Sequence, residues 1–259
     1  MNINKNYIYI DFEAISNPFA RILSIPANTP FAYSLGALNL EGKLETKTFI
    51  IDFAKTNSIK DIWGKLKKNI IKHIYQINPH LKINEIIFIG HNPVLEKKIL
   101  SKMFSKNEIR ALLDDNSNPN LSLSKLTGPI FKDEYFAKTK KSIIESNIPT
   151  LKKIMVKNNG FIASFVGFWL YVNSLSNLRS NDKRKKYFIP LKKNTILKEL
   201  RNYSKDDVNK MLYLSLNPSE TSLLIKRYLY KKELLRLLKN IDFDDDLTIG
   251  QIKEKIWNL

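Results

Sequence analysis

The run Tyr7-Ile8-Tyr9-Ile10-Asp11-Phe12-Glu13 constrains the fold more than any other stretch, because it reads as a strand and ends with two carboxylates one residue apart. With a period of two, Ile8, Ile10 and Phe12 share one face, and Tyr9, Asp11 and Glu13 share the other. Acids are depleted in strands. Two like charges at i and i+2 of a half-buried strand repel unless a cation stands between them. A bound cation explains the pair; so does a strand end that runs into solvent at Glu13.

The rest of the chain narrows what such a cation can be. Cysteine is absent, which excludes disulfides and thiolate-held zinc or iron–sulfur sites. Only His73, His80 and His91 supply imidazole, so a metal site rests mainly on oxygen, and oxygen suits magnesium or manganese. The 259 residues, 43% of them hydrophobic, suffice for one large domain or two small ones. The start of the chain lacks the charged-then-apolar pattern of a signal peptide, so a cytoplasmic location is expected. The longest apolar run, 161–172, is too short to cross a bilayer and reads as a buried helix. The formal net charge of +18 points to a polyanionic partner. Lys, Asn and Ile abound while Gly and Pro are few, as a genome rich in A and T would encode, so part of that excess is compositional. The basic clusters are scattered, and no helix pairs an aromatic face with a basic one, so nucleic acid is expected and a membrane is not.

In order, the pattern predicts a strand over 7–12 and a hairpin of strands 31–40 and 43–53 around Glu41-Gly42. A helix then follows Asn57-Ser58, with Ile59, Ile62, Trp63, Leu66, Ile70, Ile71 and Ile74 at three- and four-residue spacing, and ends near Asn78-Pro79. Residues 85–90 form a wholly apolar strand, and Pro93 opens the next helix. The order is βββαβα. Residues 114–124 read as a polar loop and 128–136 as a fifth strand. Helices are expected over 150–156, 161–175, 194–216 and 219–240, with a basic, disordered loop over 177–186.

The 194–216 helix carries an apolar stripe, Ile196, Leu200, Met211 and Leu214, that Tyr203 and Asp207 interrupt. Asp207 lies on the inward face. Asp206 shares a face with Glu199, Asn202 and Lys210, so solvent explains Asp206 and does not explain Asp207. A buried carboxylate needs a cation or several donors. Tyr203, one turn earlier, can place its hydroxyl on whatever the carboxylate holds, and that hydroxyl with a nearby Lys could equally satisfy Asp207. Glu96, in the first turn after the apolar strand, lies where open α/β sheets place their sites, although the helix dipole favours an acid there in any case.

Three stretches, Asp11-x-Glu13, His91-Asn92-x-x-x-Glu96 and Tyr203-x-x-x-Asp207, together resemble the three motifs of the DEDD exonucleases, in their tyrosine-bearing DEDDy branch. More narrowly, Asp11-Phe12-Glu13, the later Pro30-Phe31-Ala32-Tyr33-Ser34-Leu35 and Leu151-Lys152-Lys153 resemble a bacterial family of uncharacterised exonuclease-like domains. The resemblance spans about residues 7 to 216. It implies a ribonuclease H-like, mixed five-stranded α/β sheet with helices on both faces in a 1–216 domain, and a 217–259 helical extension packed on it. It further implies 3'-5' exonucleolytic hydrolysis of single-stranded or frayed nucleic acid by two Mg2+ or Mn2+ ions. In that scheme Asp11 bridges the ions, Glu13 and Asp207 complete one, Glu96 holds the other, and Tyr203 serves the attacking water. Asn92, Lys152, Lys153, Lys183 and Arg184 are expected to touch the strand. Glu96 departs from the usual aspartate, a longer arm suited to a metal held through water. The rival expectation is a nucleic-acid-binding protein that keeps the fold without the chemistry.

Overall fold

The computed structural model describes residues 5–56, 58–113, 121–131, 134–155, 158–175, 178–179, 181–238 and 248–257, with backbone alone at 153–155, 237 and 255–257. The opening run is a strand, β1 (Tyr7–Ile15). After a short helix α1 (Phe19–Leu23), the chain returns antiparallel to β1 as β2 (Thr29–Leu38) and then antiparallel to β2 as β3 (Leu44–Ile50). Gly42 turns this hairpin at φ 73°, a conformation that costs glycine little, while the Asn39 side chain accepts from the Glu41 and Lys43 amides.

Helix α2 (Ile59–Ile77) starts where Ser58 caps it, accepting from the Asp61 amide. Its buried Ile62, Leu66, Ile70, Ile74 and Ile77 form the stripe that their spacing predicts. Each such aliphatic contributes about 1.5–3 kcal/mol on burial, so tertiary packing fixes this helix. The chain then runs as β4 (Ile87–Gly90), α3 (Val94–Met103) and β5 (Glu108–Ala111). Both strands are parallel to β1, and the sheet order is β3-β2-β1-β4-β5. This is a mixed five-stranded α/β sheet with the strand order and directions of a ribonuclease H-like fold.

Helices α4 (Leu123–Thr127), α5 (Ala137–Glu145), α6 (Pro149–Met155), α7 (Asn159–Asn173), α8 (Lys193–Leu216), α9 (Pro218–Leu238) and α10 (Ile249–Trp257) complete the described chain. The alternation in β1 divides the core in two. Ile8, Ile10 and Phe12 join Tyr33, Phe88 and the inner faces of α2 and α7, whereas Tyr9 and Ile89 pack with Val208, Met211 and Leu212 of α8 and Leu224 of α9. Helices therefore cover both faces. Gly36 of β2 admits α8 to this second face, since a Cβ there would stand 2.8 Å from Leu212 Cδ1 and 2.9 Å from Val208 Cγ1. Thr221 of α9 donates to the Leu214 carbonyl at 2.7 Å, which joins the extension to α8. Among the described residues no helix is long and apolar enough to cross a membrane.

Two expectations are corrected. The fifth strand is Glu108–Ala111 and not 128–136, where Ile130 and Phe131 continue turns from α4 and Phe136 takes φ 57°, a conformation no strand tolerates. Residues 132 and 133 lie outside the described set. The basic 177–186 stretch was expected to be disordered, yet Lys183–Tyr187 forms a 3-10 turn capped by Asp182, with Tyr187 edge-on to Phe19; residues 177 and 180 lie outside the described set.

Candidate active site

Asp11 and Glu13 point to the α8 face of β1. Their antiparallel partners are Ser34 and Ala32, both fully buried, and these small neighbours leave room beneath the helix. A bulge between Glu13 and Ala14 then breaks the register, as bulges do where a strand re-aims a side chain. Glu13 is 6% exposed, and its Oε1 is buried without a hydrogen-bond partner.

Glu96 reaches the same place from the end of β4. A Cβ on Gly90 would meet Pro93 Cβ at 2.9 Å and Glu96 Cγ at 3.4 Å, so glycine is what lets the first turn of α3 close on the strand end. The Glu96 side chain is buried, and the amides of Glu96 itself and of Phe12 draw its pKa down against the larger effect of burial. His91 turns away: its Nε2 lies 2.6 Å from the Leu121 carbonyl oxygen and its Nδ1 is buried with no partner. Asn92 is exposed.

The third contribution comes from α8. Tyr203 sits between the rings of Tyr135 and Phe136, each with a centroid 5.2 Å away, and the Asp207 carboxylate one turn on helps to raise its pKa. Asp207 faces inward, with a side chain 15% exposed, and its Oδ1 lies 3.2 Å from Lys210 Nζ. Ser204 is fully buried near Glu13, and its hydroxyl pulls the Glu13 pKa down although no hydrogen bond of good geometry joins the two.

The outer face expected for α8 is corrected here. Lys210, placed with the solvent-facing residues, is fully buried; besides Asp207 it stands 4.9 Å from the Tyr135 ring centroid and 3.5 Å from Ser124 Oγ. Asp206 accepts from the Tyr135 hydroxyl at 3.1 Å, and Glu199 caps α5 by accepting from the Lys138 and Thr139 amides and the Thr139 hydroxyl. Protein covers Lys210 and partners Glu199 and Asp206, while Asn202 on the same face stays exposed. A signal for Lys210 was in the sequence: 196, 200, 203, 207, 210 and 214 continue one alternation of four- and three-residue steps.

The acids act on one another. Burial lifts the Asp11 pKa well above the usual carboxylate range, and Glu13, Asp207 and Glu96 lift it further, against Lys210. Glu13 is pushed up to about 8 by burial, then Asp207 and Glu96, and Glu96 to about 7 by burial. Tyr203 is raised well above its ordinary value by burial and by Glu13, Asp207 and Asp11, so its hydroxyl stays protonated and donates. Three elements distant in sequence thus bring these four carboxylates into one region.

The donor set suits a hard divalent cation. All four donors are oxygen, and Glu13 Oε1 is a buried acceptor with nothing to accept. As the side chains stand, with Asp207 on Lys210, no three His, Asp or Glu groups among the described residues are disposed to hold an ion together.

The expected strand-binding residues are dispersed. Lys152 bonds Asn147 Oδ1, Lys183 is exposed, and Arg184 is held by Asp182, its Nε lying 2.9 Å from Oδ1. None of these bonds reaches the four acids. The side chain of Lys153 lies outside the described set.

The family described as Domain of unknown function (DUF2779) matches residues 8–169. The chain belongs to the DUF2779 family. The DUF2779 match runs from β1 through most of α7, so it contains Asp11, Glu13 and Glu96 and ends before Tyr203 and Asp207. No curated protein matches the chain.

Proposed function

We propose that this chain is a divalent-metal-dependent 3'-5' exonuclease acting on single-stranded or frayed nucleic acid. The observation that carries the reading is the convergence of Asp11, Glu13, Glu96 and Asp207, each buried or half-buried, with Asp11 and Glu13 raised by burial and the neighbouring acids, Glu96 raised by burial, and a partnerless Glu13 Oε1 among them. Buried like charges of this kind persist where a ligand of opposite charge offsets them.

Asp11, Glu13, Glu96 and Asp207 would hold Mg2+ or Mn2+, which when bound would activate water and neutralise charge on a phosphodiester. The charges of Glu13, Asp207 and Glu96 all act on Asp11, which supports a bridging role for it. Tyr203, clamped by two rings and protonated, supports orientation of a water through its hydroxyl rather than removal of that water's proton. The chain's net charge of +18 supports retention of a polyanionic strand. The resemblance of the motifs, and not the geometry, supplies the 3'-5' polarity.

A second reading has one observation in its favour. Lys210 already pairs with Asp207, as in a chain that binds nucleic acid and uses its acids structurally. Incubating 5'-labelled single-stranded DNA and RNA with Mg2+, Mn2+ or chelator separates the two. An exonuclease gives a ladder shortened from the 3' end only with metal, and the substrate that yields it identifies the sugar; a binder leaves both strands intact under all three conditions.

A further inference from the structure

Lys210 is the most deeply buried charge near the four acids, with 0% of its side chain exposed. Burying an ammonium costs several kcal/mol unless it is paired, and the site provides for it: Asp207 Oδ1 at 3.2 Å, Ser124 Oγ at 3.5 Å and the face of Tyr135 at 4.9 Å. Its charge also acts on Asp11, whose pKa it lowers. The same carboxylate, Asp207, raises the Tyr203 pKa and belongs to the cluster read as metal-holding.

We propose that the Lys210 ammonium and a divalent cation compete for Asp207, so that Lys210 is a positioning residue that holds this carboxylate while metal is absent. The proposal rests on the metal-dependent reading above. An ion taking Asp207 as ligand must displace it from Lys210, and it must also approach a fixed positive charge; both weaken binding relative to the same site without the lysine. The lysine in turn keeps a cation beside acids that would otherwise repel one another, which suits a chain that meets metal only intermittently.

The test is direct Mn2+ binding, read from loss of the free-ion electron paramagnetic resonance signal, on chelator-treated full-length chain. The wild type is compared with Lys210→Met, with Lys210→Gln, which can still hydrogen-bond Asp207, and with Asp11→Ala. Both Lys210 variants should bind Mn2+ at least about tenfold more tightly than the wild type, a difference of about 1.4 kcal/mol, and Asp11→Ala should bind least. In a metal-free thermal melt, Asp207→Asn/Lys210→Met should melt above Lys210→Met, because the double variant removes both charges of the pair rather than one. If the Lys210 variants bind Mn2+ no more tightly than the wild type while Asp11→Ala loses binding, the competition is wrong and the metal reading stands. If neither the wild type nor either Lys210 variant binds Mn2+, both fall.

Discussion

The protonation of Glu13 and Glu96 gives the site a stability signature that is independent of any catalysis. Their pKa values, ordinarily 4.5, rise to about 8 and about 7 in the folded chain, so the folded state binds protons that the unfolded state has already lost. Stability from these groups is fully present below about pH 4.5 and is lost as pH rises to 7 and 8, at up to about 1.4 kcal/mol per unit per group. The metal-free protein should therefore melt higher at pH 5.5 than at pH 8, and Glu13→Gln should flatten the profile by raising the pH 8 melting temperature. Thermal melts across pH with chelator present check this; a wild-type profile that rises towards pH 8 contradicts it. Asp207→Asn should do the opposite at any such pH. Removing the carboxylate takes one charge from the pair that Asp207 forms with the buried Lys210, so a loss of about 1–3 kcal/mol is expected, measured by urea denaturation. An unchanged midpoint would show that the pair contributes nothing.

Helix α8 is the element on which the site depends, since it lays Ser204, Asp207 and Lys210 over the acids of β1. Its approach is set at Gly36, where a Cβ would also stand 3.1 Å from Thr46 Cγ2. Gly36→Ala should cost about 1–3 kcal/mol through overpacking and weaken Mn2+ binding as the helix shifts. Gly64→Ala on α2 meets nothing within 4 Å and should be neutral or stabilise by up to about 1 kcal/mol. Paired melts and Mn2+ titrations read both; equal behaviour of the two variants would remove the close-approach account. The strands and helices that bury one face were legible in the sequence because their periodicity records that burial: β1, the hairpin, α2, β4 and the body of α8. What was missed has other causes. Strand β5 is four residues long, its Glu108 and Arg110 pair with each other, and it presents no apolar run. Helix α5 is covered by few apolar side chains, and its cap, Glu199, lies 61 positions away from Lys138. The partners of Glu199 and Asp206 could not be read without α5 and the Tyr135 turn in place, and Lys210 was assigned to solvent although its spacing continues the apolar stripe. The four acids, by contrast, were legible because each breaks a local rule: two acids in a strand, one on an apolar stripe, one at a strand's end.

At the scale of the whole molecule, charge and chemistry are separable. Forty-three Lys and Arg against 25 Asp and Glu leave a large positive excess, which on the proposed reading would hold the strand, and the bonds made by Lys152 and Arg184 do not involve the four acids. Affinity for a single-stranded oligonucleotide should fall steeply with salt, log Kd rising linearly with log salt concentration through counterion release; fluorescence anisotropy across a salt series checks this, and a flat dependence would remove electrostatics as the source of binding. The most direct test of the central claim pairs that binding measurement with hydrolysis of the same 5'-labelled oligonucleotide in Mg2+, for the wild type and Asp11→Ala. On the proposed reading, removing Asp11 should leave anisotropy within about twofold and abolish the shortening that the wild type shows, because dispersed basic residues would bind the ground state whereas the carboxylates would act on the transition state. A wild type that binds the strand and leaves it intact, or an Asp11→Ala variant that shortens it at the wild-type rate, would contradict the account.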